Sequence, residues 1–325
     1  MAKYSFARAS KQADRFVKER LILNKSRHEY KQSLDRKTDN IKNEKIHSLN
    51  SMRTVKNHLT QFTQFIKDEK LGDLKSATPE IAKAFLEAKT NEYTQTYLRN
   101  VQHSVERATG RITNINGQHW KAKSIKSETG ELAKGSRAYT RKEYLAIREK
   151  LPENMRLATD ILINSGGRVT ATMTVSDSTI KSAHREWSDH RFDGRPDDYK
   201  NNSGEYNLIT LQDKGKISYE IALKNDDYKA LKKIKLDYPQ QITHHGIRMI
   251  QEYNLPHPAL IGEVFTKASI EVIGYSNGIH GLRHTHAQER QEELVRAGYE
   301  YHEAKAINAQ EHGHFDAEKT NAYLK

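Results

Sequence analysis

At 325 residues, with a net charge of +12, a pI near 9.5 and no cysteine, the chain is long enough for two ordinary domains and at least one sizeable core. The missing thiols exclude a disulfide framework, a thiolate metal site and a cysteine nucleophile. No apolar run reaches the 18 residues of a membrane helix, and the polar opening MAKYSFARASKQADRF lacks the apolar core of a secretory signal, so a cytoplasmic location is expected.

Residues 1–48 read as a basic helical arm. Over residues 1–50 there are 13 Lys and Arg against 6 Asp and Glu, so this stretch supplies +7 of the net +12. Such an excess suits a polyanionic partner, nucleic acid first. The arm either tracks phosphates or packs as a surface helix on the next domain. Residues 49–110 form a helical unit: Val55, Leu59, Phe62 and Ile66 recur at spacings of three and four, and Thr78 with Pro79 marks a helix start. Tyr97, Leu98, Val101 and Val105 make a further stripe. Residues 111–137 lose the pattern and read as a linker, with a short hairpin at Asn116-Gly117.

A second domain is expected over 138–325. Thr140 and Glu143 have capping-box spacing. An apolar helix from Met155 to Asn164 ends at Ser165-Gly166-Gly167-Arg168, and residues 176–204 look like a polar insertion. Leu208–Leu211 and Ile217–Leu223 read as a hairpin whose turn carries Lys214, Gly215 and Lys216. Residues 224–270 look mostly helical, broken at Pro256-His257-Pro258.

The closing stretch, Ile279 to Lys325, carries the chemistry. His280 and Arg283 share a helix face, and an Arg beside a His suits a phosphate because its guanidinium is a fixed fork of donors. His314 follows Gly313, and Tyr323, a residue type able to form covalent intermediates, comes nine residues later. His280 and His284, four apart, have a spacing that can chelate a metal, but Gly281 stands where an H-E-x-x-H site has its Glu. No metal and no cofactor are expected, and His284 and His286 read as helix packing or DNA-backbone contacts.

His280-Gly281-Leu282-Arg283, then Gly313-His314, then Tyr323 together resemble the tyrosine recombinases, or phage integrase family. The family's signature is H-x-x-R, then G-H, then a Tyr about nine residues on. The resemblance runs from about residue 50 and is specific from Tyr139. It implies a mainly α fold with a small β-sheet: an N-terminal helical core-binding (SAM-like) domain over 49–110 and an α+β catalytic domain. Arg168 matches the family's first catalytic Arg. Ala171 departs from the family, which has a buttressing Glu at that position. Lys214 matches the catalytic Lys, with Lys216 the runner-up.

The implied reaction is a DNA transesterification in which Tyr323 attacks a phosphodiester, leaving a 3′-phosphotyrosine and a free 5′-hydroxyl. Arg168, Arg283 and His314 would hold the non-bridging oxygens, Lys214 would protonate the leaving oxygen, and His280 would assist proton movement at Tyr323. Double-stranded DNA at specific sites, a homotetramer on that DNA and DNA-bending accessory proteins are the implied partners, with no membrane. Only Leu324 and Lys325 follow Tyr323, so the subunit-coupling tail of the family is missing or very short. Two other functions stay open: a type IB topoisomerase-like nicking-closing enzyme, and a DNA-binding accessory protein that kept the fold without catalysis.

Overall fold

The structure, a computed structural model, describes residues 7–23, 30, 45–114, 116–122, 135–177, 206–213, 217–244, 247–314 and 317–325. It divides into two compact units, one of residues 1–133 with 243–247 and one of 134–242 with 248–325. Among the described residues no helix is long and apolar enough to cross a membrane.

In the first unit, α1 (Ala9–Arg20), α2 (Leu49–Asp68), α3 (Pro79–Ala88) and α4 (Gln95–Thr109) surround one core. Ser48, Thr78 and Thr94 cap α2, α3 and α4 by accepting backbone N–H bonds, which satisfies donors the first helical turn leaves unpaired. The predicted stripe is the core: Leu59, Phe62, Ile66, Leu98, Val101 and Val105 are fully buried, and Phe85 sits with its ring centroid 5.2 Å from that of Phe62. Of residues 1–48, the described helix α1 packs on the helical unit, the second of the two readings. Helix α1 sinks Ala13 and Val17 into the same core, and Lys56 on α2 binds Asp14 at 2.7 Å. Burial of the small apolar face of α1 outweighs its high charge, because the Lys and Arg stems reach solvent from the other side.

The linker expectation changes in a similar way. Glu106 and Gln102 on α4 reach out to the chain after it. Glu106 accepts from the Ile112 amide (3.2 Å) and lies 2.7 Å from His119, while Gln102 binds the Trp120 carbonyl and the Ala122 amide. Residues 111–122 therefore close the first unit, with a turn at Asn114–Gly117 and a bridge from Thr113 to His119.

The second unit is built on α6 (Glu153–Ser165), a helix buried on most of its sides. One side, with Ala158 and Ile161, faces the hairpin of β1 (Tyr206–Asp213) and β2 (Ile217–Lys224). The other side, with Met155 and Leu162, faces α5 (Arg141–Lys150) and α8 (Pro258–Ile273). The capping box at Thr140 and Glu143 is formed. Antiparallel β1 and β2 pair from Tyr206↔Lys224 to Asp213↔Ile217, and Ser176 bridges the β1 edge at Thr210. The turn with Lys214 and Lys216, and nearly all of the 176–204 insertion, lie outside the described residues.

The mostly helical reading of 224–270 holds for α7 (Asn225–Lys233) and α8, but residues 235–253 between them are β3 (Lys235–His244) paired with β4 (Ile247–Tyr253). Most of β3 is exposed, with Tyr238 83% exposed. A ribbon wetted on both faces needs no apolar alternation, so it leaves no period-two signal to read. Last come α9 (Gly281–Arg296), α10 (Tyr301–Glu311) and a short 3-10 turn, Ala317–Ala322.

Candidate active site

The first turn of α9 is held down before it presents any side chain. The extended segment Arg137–Tyr139 lies against it: the Tyr139 amide donates to the Thr285 hydroxyl at 2.9 Å, and that hydroxyl reaches the Tyr139 carbonyl at 2.8 Å. A Cβ at position 281 would overlap the Tyr139 ring and come within 2.7 Å of the Arg137 carbonyl. Gly281 thus provides the room for this close approach, a reason for the H-G-L-R wording that spacing alone does not give.

Arg283 follows two residues on and is 1% exposed. Among the described residues it has no carboxylate for a partner; instead it is fastened to backbone. Nη1 donates to the Gly166 carbonyl at 2.5 Å, and Nη2 donates to the His312 carbonyl at 2.6 Å and to His314 Nε2 at 3.0 Å. Its Nε–H is buried and has no acceptor among the described residues. The two carbonyls lie at helix ends: Gly166, with φ +66°, is the left-handed cap of α6, and His312 caps α10. Carbonyls at helix C-termini are unpaired and partly negative, so they can fix a cation without neutralising it.

Tyr323 follows the 3-10 turn and is 8% exposed. Its hydroxyl lies 3.4 Å from His314 Nε2, and the Arg283 guanidinium carbon is 5.3 Å from its ring centroid. A guanidinium can only donate, so His314 Nε2 is an acceptor here and the phenol is the donor. His280 borders the same ring at 5.7 Å between centroids, His284 at 4.8 Å and His312 at 6.0 Å. The phenol is held from behind: Gln288 on α9 donates to the carbonyls of Tyr323 and Lys325, both at 2.9 Å, and Lys305 on α10 pairs with Glu318 at 2.7 Å.

Electrostatics at this place are one-signed. Burial first, and Arg283 next, push His280 and His314 down, to about 4 and about 3 respectively; the charge of Arg168 adds to both. His284 falls to about 4 through burial, Arg137 and Arg283. The histidines are accordingly neutral at pH 7 while the arginines are charged, so positive charge stands beside neutral hydrogen-bonding groups. Such a site attracts an anion and would take up protons as the anion enters.

Of the six residues expected to share a site, His280, Arg283, His314 and Tyr323 meet in one place, and the charge of Arg168 reaches two of them. Arg168 lies between Gly167 and the 3-10 turn Val169–Thr174, whose Ala171 is fully buried and donates its amide to the Arg168 carbonyl at 2.8 Å. Lys214 and its alternative Lys216 lie outside the described residues. Sequence reasoning passed over Gly166, His312 and Gln288. A glycine ending an apolar helix is a readable cap signal, but nothing in the sequence says which side chains converge on it. His286, 7% exposed, packs inside the unit, in line with the helix-packing reading.

No family model matches this sequence, and no curated protein matches it. Solved structures do. A lambda integrase dimer bound to a COC′ core site matches with a TM-score of 0.51 at 14% identity, over 97% of this chain and 76% of that one. The XerH site-specific recombinase bound to a palindromic difH substrate matches with a TM-score of 0.50 at 15% identity, over 85% of this chain and 76% of that one. A pre-cleavage XerH complex gives a TM-score of 0.50 at 14% identity, over 84% and 76%. The chain has the tyrosine-recombinase fold.

Proposed function

We propose that this chain is a site-specific DNA recombinase that cuts and rejoins strands through a 3′-phosphotyrosine. The observation that carries this reading is the convergence of a phenol, an imidazole and a fixed guanidinium: the Tyr323 hydroxyl is 3.4 Å from His314 Nε2, which is 3.0 Å from Arg283. A phenol in that place has an acceptor for its proton and a cation beside the phosphate it would attack.

In the reaction, the Tyr323 oxygen bonds to phosphorus as the bond from phosphorus to the 5′-oxygen breaks. The phenolic proton leaves to His314, whose Nε2 lies 3.4 Å away, or to His280, which borders the same ring. Arg283 and Arg168 hold the non-bridging oxygens where negative charge gathers, and losing one such fixed donor costs about 3–4 kcal/mol of transition-state stabilisation. Lys214, or Lys216, returns a proton to the 5′-oxygen. A 5′-hydroxyl of another strand reverses the step, and the phosphotyrosine conserves the bond, so no nucleotide is consumed. Assembly as a tetramer on two DNA sites, with DNA-bending proteins at some sites, completes the proposal.

One observation favours a second reading. Position 171, where the family has a Glu, is a fully buried Ala, a departure that suits a DNA-binding accessory protein. Nicked suicide duplexes drawn from a random-sequence pool separate the two. A covalent adduct on a denaturing gel, absent in Tyr323→Phe, supports the recombinase. Binding with no adduct in the unsubstituted chain overturns it in favour of the accessory protein. A type IB topoisomerase-like enzyme would relax supercoiled plasmid without joining strands from two sites.

A further inference from the structure

We propose that His286 and His312 form a buried positioning pair that, seated over Gly166, fixes Arg283 for the reaction; the claim rests on the recombinase reading. His286 Nδ1 and His312 Nε2 are 3.2 Å apart with ring centroids 4.9 Å apart, and neither side chain faces substrate: the residues are 7% and 1% exposed. Three helices meet here. Gly166 ends α6, His286 lies one turn beyond Arg283 on α9, and His312 ends α10.

The pair occupies the place a side chain at 166 would take. A Cβ built on Gly166 would overlap both facing nitrogens. The two residues whose carbonyls grip Arg283, Gly166 and His312, are thus locked against each other by the ring contact. If one shifts, the guanidinium loses a carbonyl.

Direction in the pair is set by backbone. His312 Nδ1 lies 2.7 Å from the Asn308 carbonyl, which can only accept, so His312 carries its proton on Nδ1 and turns a bare Nε2 to His286. The donor for that lone pair is then His286 Nδ1–H, although the Asn164 carbonyl also faces the His286 ring. This Nδ1–H form is the tautomer that a surface histidine disfavours, and only a built environment selects it. Burial holds both rings neutral, and nearby cations add to it: Arg290, Arg141 and Arg283 around His286, Arg283 around His312. A neutral pair can sit beside Arg283 without repelling it, which a lysine or a protonated histidine could not.

Two apolar side chains would fill this space as well; a packing role alone predicts that they suffice. Imidazole 15N spectra of the free protein and the His286→Phe, His312→Leu and His286→Asn variants discriminate, because Asn places an amide donor near where Nδ1 stands. The spectra should put the His312 proton on Nδ1. His286→Phe should shift the Arg283 Nε–H resonance and slow adduct formation on the nicked duplex pool roughly tenfold at unchanged DNA affinity, as expected when a fixed donor is misplaced. His286→Asn should restore most of the rate. A His312 proton on Nε2, or a folded His286→Phe with unchanged resonance and rate, overturns the proposal. Should His286→Phe fail to fold, His286→Asn decides alone: a rate below one tenth of the original overturns the donor role. If the unsubstituted protein forms no adduct while the resonance still moves, the recombinase reading falls and the positioning pair stands.

Discussion

Arg283 shows how much a single residue can depend on groups that are not its chemical partners. Buried guanidinium groups are usually paired with carboxylates; this one is satisfied by two helix-end carbonyls, which leaves its charge available. The same charge, added to burial, keeps His280, His284 and His314 neutral. That has a consequence for stability. In the unfolded chain these histidines titrate near 6.5, and in the folded chain at about 4 to about 3, so between those values the unfolded state binds more protons. Their contribution is complete above pH 6.5 and is lost as pH falls toward 3. Thermal unfolding midpoints taken at about pH 7.5, 6, 5 and 4 should drop progressively, and His314→Gln should flatten part of that slope; a midpoint constant across this range would contradict the assignment. Tyr323→Phe removes only a hydroxyl whose contact is 3.4 Å long. It should abolish the adduct while changing unfolding free energy by no more than about 1 kcal/mol, measured by urea titration.

At the scale of elements, the site is a junction of helix ends, and the contact between α9 and α10 sets its geometry. Arg290 binds Glu311 in a two-pronged ion pair at 2.9 and 3.0 Å, both side chains 5% exposed. Immediately beyond Glu311, α10 ends and delivers His312 and His314. Arg290→Met would take the two-pronged cation away from the buried Glu311, costing about 3–5 kcal/mol. Replacing both partners with apolar residues should cost far less, since it is the stranded charge that is expensive. Urea unfolding of the single and double variants gives the comparison, and equal losses in the two would show that the stranded charge is not the cause. Most of β3 is exposed, and accordingly its sequence follows no core-facing pattern.

For the molecule as a whole, the net charge of +12 makes binding to a duplex an exchange of cationic side chains for counterions. Affinity for random-sequence DNA should fall by roughly two decades or more between about 50 and 200 mM salt if several phosphates are contacted. Fluorescence anisotropy with a labelled duplex measures it; a flat response would disconnect the basic composition from DNA. Tyr323→Phe should leave that salt slope unchanged, because the phenol carries no charge to exchange. Cleavage and affinity are then separable properties, resting on different residues.

The order and spacing of His280, Arg283, His314 and Tyr323 were legible in the chain through the family signature they resemble; helical periodicity by itself joins only His280 and Arg283. The apolar stripes of the first unit and the hairpin of β1 and β2 were legible through local pattern. Local rules cannot say that α1 and residues 116–122 fold onto the helical unit: that depends on which distant partners compete for a small apolar face or a buried Glu106. Nor can they show that Gly166, 117 positions before Arg283, supplies the carbonyl that aims it. Which backbone groups are left unpaired at helix ends, and which side chain reaches them, is settled only when the helices have packed.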